Sequence, residues 1–214
     1  MPISLRRMAW AAALAAATAA AGCGELATAG RSPVQLVINA LEAAPGGTSS
    51  PTFGTMLLSD VTTLRRSPAP CSDASPCPTV FNDVGRVTLS LVLKDPGVPG
   101  VTLQNPTAVN QVTITRYRVE YRRADGRNTP GVDVPYDFDS AITITVPATG
   151  TVQAGFELVR HSAKQEAPLR ALAVSGSIIS TITRVTFFGR DQAGHDVSAS
   201  GTIGINFGDF ADPE

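Results

Sequence analysis

A period of two constrains this 214-residue chain more than any other feature. In residues 86–94 the odd positions are Val87, Leu89, Leu91 and Leu93. The even ones are Arg86, Thr88, Ser90, Val92 and Lys94. In residues 111–123, Tyr117, Val119 and Tyr121 fall on one side and Arg116, Arg118, Glu120 and Arg122 on the other. Ile142, Ile144 and Val146 alternate with Thr143 and Thr145. Side chains on a strand point to opposite faces in turn, so each run is a strand with one apolar face. An apolar face must be covered by a second layer. Thr, Val, Ile and Ser dominate the middle and end, Gly and Pro recur at short intervals, and no run of Ala, Leu, Glu and Lys at helical spacing interrupts them. The expectation is an all-β fold. It is an antiparallel β-sandwich of about seven to nine strands, preceded by an N-terminal signal helix.

The pattern spreads along one domain, residues 34–207. Residues 34–40 read as a strand with Val34, Leu36 and Ile38 on one side, and residues 53–64 as one or two strands. Residues 65–79 form a Pro-rich loop holding Cys71 and Cys77. Such a length is awkward in a compact domain unless the loop is fastened. Residues 131–140 are acidic and loop-like. Residues 141–146 and 152–159 read as a hairpin turning at Thr149-Gly150. Residues 161–172 are a polar connection, because Pro168 limits a helix there. Residues 177–189 and 196–207 close the fold as a pair around Gln192-Ala193-Gly194-His195, and residues 208–214 are an acidic tail.

The first 22 residues have the form of an export signal. Arg6 and Arg7 precede an Ala-rich apolar stretch of about 14 residues, too short to span a hydrocarbon layer of about 30 Å. It ends in Ala20-Ala21-Gly22-Cys23, which resembles the lipobox of bacterial lipoproteins, with Ala20 where Leu is usual. The resemblance implies cleavage before Cys23 and lipidation of Cys23. The lipid then attaches the protein to a membrane of the bacterial cell envelope. Gly24, rather than Asp, after the lipid site points to the outer membrane, with the domain periplasmic or surface-exposed. Residues 23–33 are small and polar and read as a flexible tether.

Two internal stretches also resemble known families. Ile114-Thr115-Arg116-Tyr117-Arg118-Val119-Glu120-Tyr121-Arg122 is similar to the third strand of fibronectin type III domains, with its inward Tyr-x-Val-x-Tyr row. Val185 through His195 resembles the closing hairpin of bacterial immunoglobulin-like domains, with His195 where Asn is common. The Cys…Trp…Cys signature of antibody domains is missing, and the single Trp, Trp10, lies in the signal. The resemblance implies an immunoglobulin-like interaction or spacer module and names no partner.

Composition and spacing narrow the chemistry. The full chain has 17 basic and 18 acidic side chains; losing Arg6 and Arg7 leaves 15 against 18, a net of −3. That balance gives no electrostatic footprint for nucleic acid. Lys94 and Lys164 are the only lysines; every other basic group is Arg. In an oxidising compartment Cys71 and Cys77 suit a small disulfide loop; a metal pair would lack third and fourth ligands nearby. No Gly-x-Ser-x-Gly turn occurs, and His161 and His195 sit in polar, turn-like contexts, so no catalytic residue is assigned. Asp133, Asp137 and Asp139 offer oxygens for Ca²⁺, but their spacing matches no calcium-loop motif; Asp in turns also caps backbone N–H groups. Arg116, Arg118 and Arg122 make a forked-donor row suited to carboxylates or phosphates. The competing reading is an exposed face whose charges discourage edge pairing, partly neutralised by Glu120.

The expected function is therefore non-enzymatic and needs no cofactor. It is an envelope lipoprotein that acts as a scaffold or interaction module toward an envelope protein or glycan. The alternative is an exported carbohydrate-binding or enzyme-accessory protein, with calcium as an optional ligand. With no Trp in the mature chain, and Tyr117 and Tyr121 assigned to the core, a sugar-stacking platform finds little support.

Overall fold

The structure is a computed structural model that describes residues 31–97 and 104–210. The signal segment, Cys23 and the last four residues lie outside the described residues. In chain order the strands are β1 (Val34–Ala44), β2 (Met56–Asp60), β3 (Thr63–Arg65), β4 (Cys77–Thr79), β5 (Asp83–Leu93), β6 (Val112–Arg122), β7 (Phe138–Val146), β8 (Val152–Val159), β9 (Ile179–Asp191) and β10 (Asp196–Gly208). They form a three-stranded sheet ordered β1-β5-β8, a five-stranded sheet ordered β2-β10-β9-β6-β7, and a small β3-β4 ribbon. Among the described residues, no helix is long and apolar enough to cross a membrane.

The alternation seen in the sequence is what brings the two larger sheets face to face. Val87, Leu89 and Leu91 of β5, Tyr117, Val119 and Tyr121 of β6, and Ile144 and Val146 of β7 are all buried. Phe156 of β8 meets Tyr117 and Phe187 of the opposite sheet edge-on, at centroid distances of 5.2 and 5.3 Å. Burying each such side chain contributes about 1.5–3 kcal/mol, and the edge-on rings add to this. Gly85 sits directly opposite Phe156 in the β5–β8 ladder. A Cβ there would come within 2.3 Å of the Phe156 ring, so the missing side chain makes room for the aromatic.

Two β-bulges set which faces are buried. In β1, Val34 and Leu36 are inward at even positions, while Ala43 is inward at an odd one. The change of phase falls at the register shift between Ile38 and Ala40. In β6, Val112 and Ile114 are inward, and so are Tyr117, Val119 and Tyr121; the shift lies between Ile114 and Arg116. One extra residue, Thr115, turns the strand so that both apolar sets reach the same core.

Several expectations need correction. Residues 141–146 and 152–159 are not a hairpin, because β7 pairs with β6 in one sheet and β8 with β5 in the other. Alternation shows which face of a strand is buried but not which strand lies beside it. Strands of facing sheets and of a hairpin present the same pattern, and Pro147, in the link, has no N–H for a ladder. The sheets are also not wholly antiparallel: β2 runs parallel to β10. The chain leaves β1 through mutual backbone bonds between Ala43 and Gly54, of 2.8 and 2.9 Å, and changes sheets there. It then reaches the edge of β10 running in the same direction, a pairing that the rest of the fold serves as crossover.

Among the described residues ten strands stand where seven to nine were expected, because the region around the cysteines is itself paired. Arg65 opposes Cys77 in the β3–β4 ribbon, and the Cys71 and Cys77 sulfurs are bonded at 2.07 Å. Residues 161–172 are more than a polar connection. They hold a helical turn at His161–Lys164 and a 3₁₀ turn at Leu169–Ala171, followed by a second helical turn at Leu172–Ser175. Ala163, Lys164, Leu169 and Leu172 from these turns are buried. At the ends, Ser32, read as tether, is buried, and Gly208, read as tail, closes β10.

Candidate functional site

The outer face of the five-stranded sheet gathers most of the side chains to which the sequence assigned chemistry. Alternation places Arg116, Arg118, Glu120 and Arg122 of β6 on this face, and the β6–β7 register sets Arg118 directly across from Asp139. Asp139 binds two guanidinium groups, Arg116 through Oδ1 and Arg118 through Oδ2 at 3.1 Å. Arg122 reaches Asp137 Oδ2 at 2.9 Å, and Asp137 Oδ1 also accepts the Tyr121 backbone N–H at 3.0 Å. Glu120 stands 3.7 Å from Arg118 and 3.4 Å from Arg122. Arg123 and Arg127 converge on Asp125 just beyond the strand. The Arg116 guanidinium lies 3.9 Å above the Phe188 ring, a cation–π contact.

The arginine row and two members of the aspartate trio are therefore one ion-pair ladder. Three guanidinium groups, of Arg116, Arg118 and Arg122, alternate with three carboxylates, of Glu120, Asp137 and Asp139, while Arg123 and Arg127 share Asp125 in a separate cluster. Asp133 stands apart and caps the backbone N–H of Thr129 at 3.2 Å. Among the described residues, no group of three or more His, Cys, Asp or Glu side chains is placed to hold a metal ion. What the ladder can do chemically is limited to pairing with a charged partner that displaces an internal partner.

Beside the ladder, the same face becomes apolar. Met56, Leu58 and Ile182 are 63%, 52% and 54% exposed. Met56, Gly204, Ile182 and Arg122 form one cross-strand row, with Gly204 leaving a shallow gap between Met56 and Ile182. No spacing in the sequence announces this strip, because β2 is too short to show a full alternation.

Two buried polar centres were not foreseen. Asp83, the first residue of β5, accepts hydrogen bonds from Ser59 Oγ at 2.6 Å and from the Gly46 backbone N–H at 3.0 Å. Lys164 Nζ lies 2.9 Å from each of its carboxylate oxygens, and both side chains are 1% exposed. Burial pushes the Asp83 carboxyl up, against the pull of Lys164 and the hydrogen bonds of Ser59 and Gly46. The centre ties β2, β5 and the first helical turn together. A sequence signal existed: Lys164 is one of two lysines in an arginine-rich chain.

The second centre is the β9–β10 turn. Asp191 accepts the backbone N–H of Ala193 and of His195, each at 2.9 Å, and meets the His195 ring Nδ1 at 3.0 Å. Burial pushes its carboxyl up, but the hydrogen bonds of His195 and Ser32 outweigh burial and hold it below the ordinary carboxylate range. His195 is thus a turn-fastening residue, half-buried, while His161 is exposed.

These features define a class: an all-β, two-layered fold with a disulfide-braced ribbon and a sheet face shared between an ion-pair ladder and an apolar strip. Compared with protein-family models, with curated proteins and with solved structures, the chain matches none.

Proposed function

We propose that the chain is a lipoprotein of the bacterial envelope, in which lipid on Cys23 holds one immunoglobulin-like sandwich near a membrane, and that it works by contact with an envelope protein or glycan rather than by catalysis. The observation that carries this reading is the run from Arg6-Arg7 through the short apolar stretch to Ala20-Ala21-Gly22-Cys23, placed directly before a β-fold. The strand order supports the immunoglobulin-like part. In such domains strands A, B and E share one sheet, and C, F and G the other. Here β1-β5-β8 fits the first set and β6-β9-β10 the second, with β7 beside β6 as an added edge. The Tyr-x-Val-x-Tyr row then falls on the C-like strand, as the fibronectin resemblance implies. Commitment of Tyr117 and Tyr121 to the core weighs against the carbohydrate-binding alternative. Outer membrane placement rests on Gly24.

Fractionation tests the proposal. The native protein should sediment with membranes and be released by detergent but not by salt or alkali. A Cys23→Ala variant should be exported and remain in the soluble fraction. Native protein that is soluble without detergent contradicts the reading.

A further inference from the structure

We propose that Lys164 and Asp83 become joined by an amide bond, an intramolecular cross-link that the fold itself makes. Three observations converge on this pair. The Lys164 amine touches both Asp83 oxygens at 2.9 Å with both side chains 1% exposed, so the two groups are held together away from bulk water. The carboxyl is polarised from two further sides, by Ser59 Oγ at 2.6 Å and by the Gly46 N–H at 3.0 Å. The third is the choice of residue. The chain meets nearly every need for a cation with Arg, which does not condense with a carboxyl, yet places one of its two lysines here.

The chemistry balances without a cofactor. Two opposite charges in a dry site are costly, and proton transfer from the ammonium to the carboxylate leaves a neutral amine against a neutral acid. The Nζ lone pair attacks Asp83 Cγ and forms the N–C bond. The Gly46 N–H and the Ser59 hydroxyl hold the two oxygens of the tetrahedral intermediate. A proton from Nζ passes to one oxygen, the C–O bond breaks, and one water leaves. Groups held in contact react as if at about 10⁵–10⁸ M, which favours the amide over its hydrolysis in a site that excludes water. A surface groove lined by Val61, Val80, Gln165 and Ala173 runs beside Lys164, so the departing water has only a short distance to travel to solvent. The bond would remove both buried charges and fasten the first helical turn to β5, 81 positions away in sequence. It is independent of whether Cys23 carries lipid.

A digest decides the matter. The purified full chain is denatured, reduced, alkylated and cut with trypsin. Asp83 then lies in the peptide of residues 67–86, bounded by cuts after Arg66 and Arg86. An acylated Lys164 is not a cleavage site, so it remains within residues 161–170. The expected product is these two peptides joined and lighter by one water than their sum. Recovery of residues 67–86, 161–164 and 165–170 as separate peptides overturns the proposal and leaves a plain ion pair. Lys164→Arg keeps the cation but cannot form the amide, so the joined species should vanish; its persistence would also overturn the proposal. Should that variant fail to fold, the wild-type digest decides alone.

Discussion

Tyr121 does two jobs that a sequence shows only in part. Its ring fills the core, and its hydroxyl crosses to the other sheet and donates to the Leu158 carbonyl at 2.7 Å. Burial pushes that hydroxyl well above its ordinary range, so it remains a donor at any working pH. Tyr121→Phe should keep the packing, strand the carbonyl and lower stability by about 1–3 kcal/mol in chemical denaturation. Tyr117→Phe should cost less, because its bond to the Glu157 carbonyl, at 3.0 Å, is only part-buried. Asp191 gives a pH prediction. Its folded-state pKa is depressed, so its contribution is present above the ordinary carboxylate value of about 3.9 and is lost as pH falls through the lowered one. Melting temperature should drop over that acid window, and Asp191→Asn should flatten the drop. An unchanged acid limb would remove Asp191 from the account. At this scale inward residues of β5, β6 and β7 such as Leu89, Tyr117 and Ile144 were legible from alternation, while Leu169 and Leu172, buried in the turns after β8, were not. The partners of Asp83 were not, since hydrogen bonds between residues 24 or more positions apart, such as Ser59 to Asp83, leave no mark on local pattern; those of Asp191, two and four residues on, lie in a stretch whose composition shows a turn but not which side chain fastens it.

At the scale of elements, bulges and loops carry the argument. The phase change in β6, from Val112 and Ile114 to Tyr117, is written in the sequence and marks the bulge at Thr115. The neighbouring strand approaches closely there. A Cβ on Gly189 would fall 2.3 Å from the Thr113 carbonyl oxygen and 2.9 Å from Ile114 Cα. Gly189→Ala should therefore cost about 1–3 kcal/mol, measured by urea titration, through overpacking. The ladder beside the bulge should matter far less. Arg118 and Asp139 are well exposed, so an Arg118→Ala, Asp139→Ala double-mutant cycle should give a coupling of at most about 1 kcal/mol. The cysteine loop was read correctly as fastened, but the β3–β4 ribbon inside it was missed, because three-residue strands are too short for a period to show. Replacing Cys71 and Cys77 with Ser should speed tryptic cutting at Arg65 and Arg66 while leaving the sandwich intact. Cutting at the native rate would mean that the ribbon holds without the bond.

The whole molecule was legible as a layered all-β fold and illegible as a topology. The apolar faces of β5, β6 and β7 demand a second layer wherever their partners lie, so the class followed from side-chain alternation. The order of strands did not, because β7 and β8 bury similar faces from opposite sides of one core. The candidate site behaved in the same way. The Arg row and the Asp trio were each visible, but their mutual neutralisation depends on the β6–β7 register, which places Asp139 across from Arg118. A face so balanced offers a partner more shape than charge, in keeping with the proposed role as a scaffold at a membrane. The measurement that bears most directly on that role is the mass of the mature N-terminal peptide. The account predicts a peptide that begins at Cys23 and carries lipid. A peptide that retains Met1, or one that begins elsewhere without modification, would contradict it.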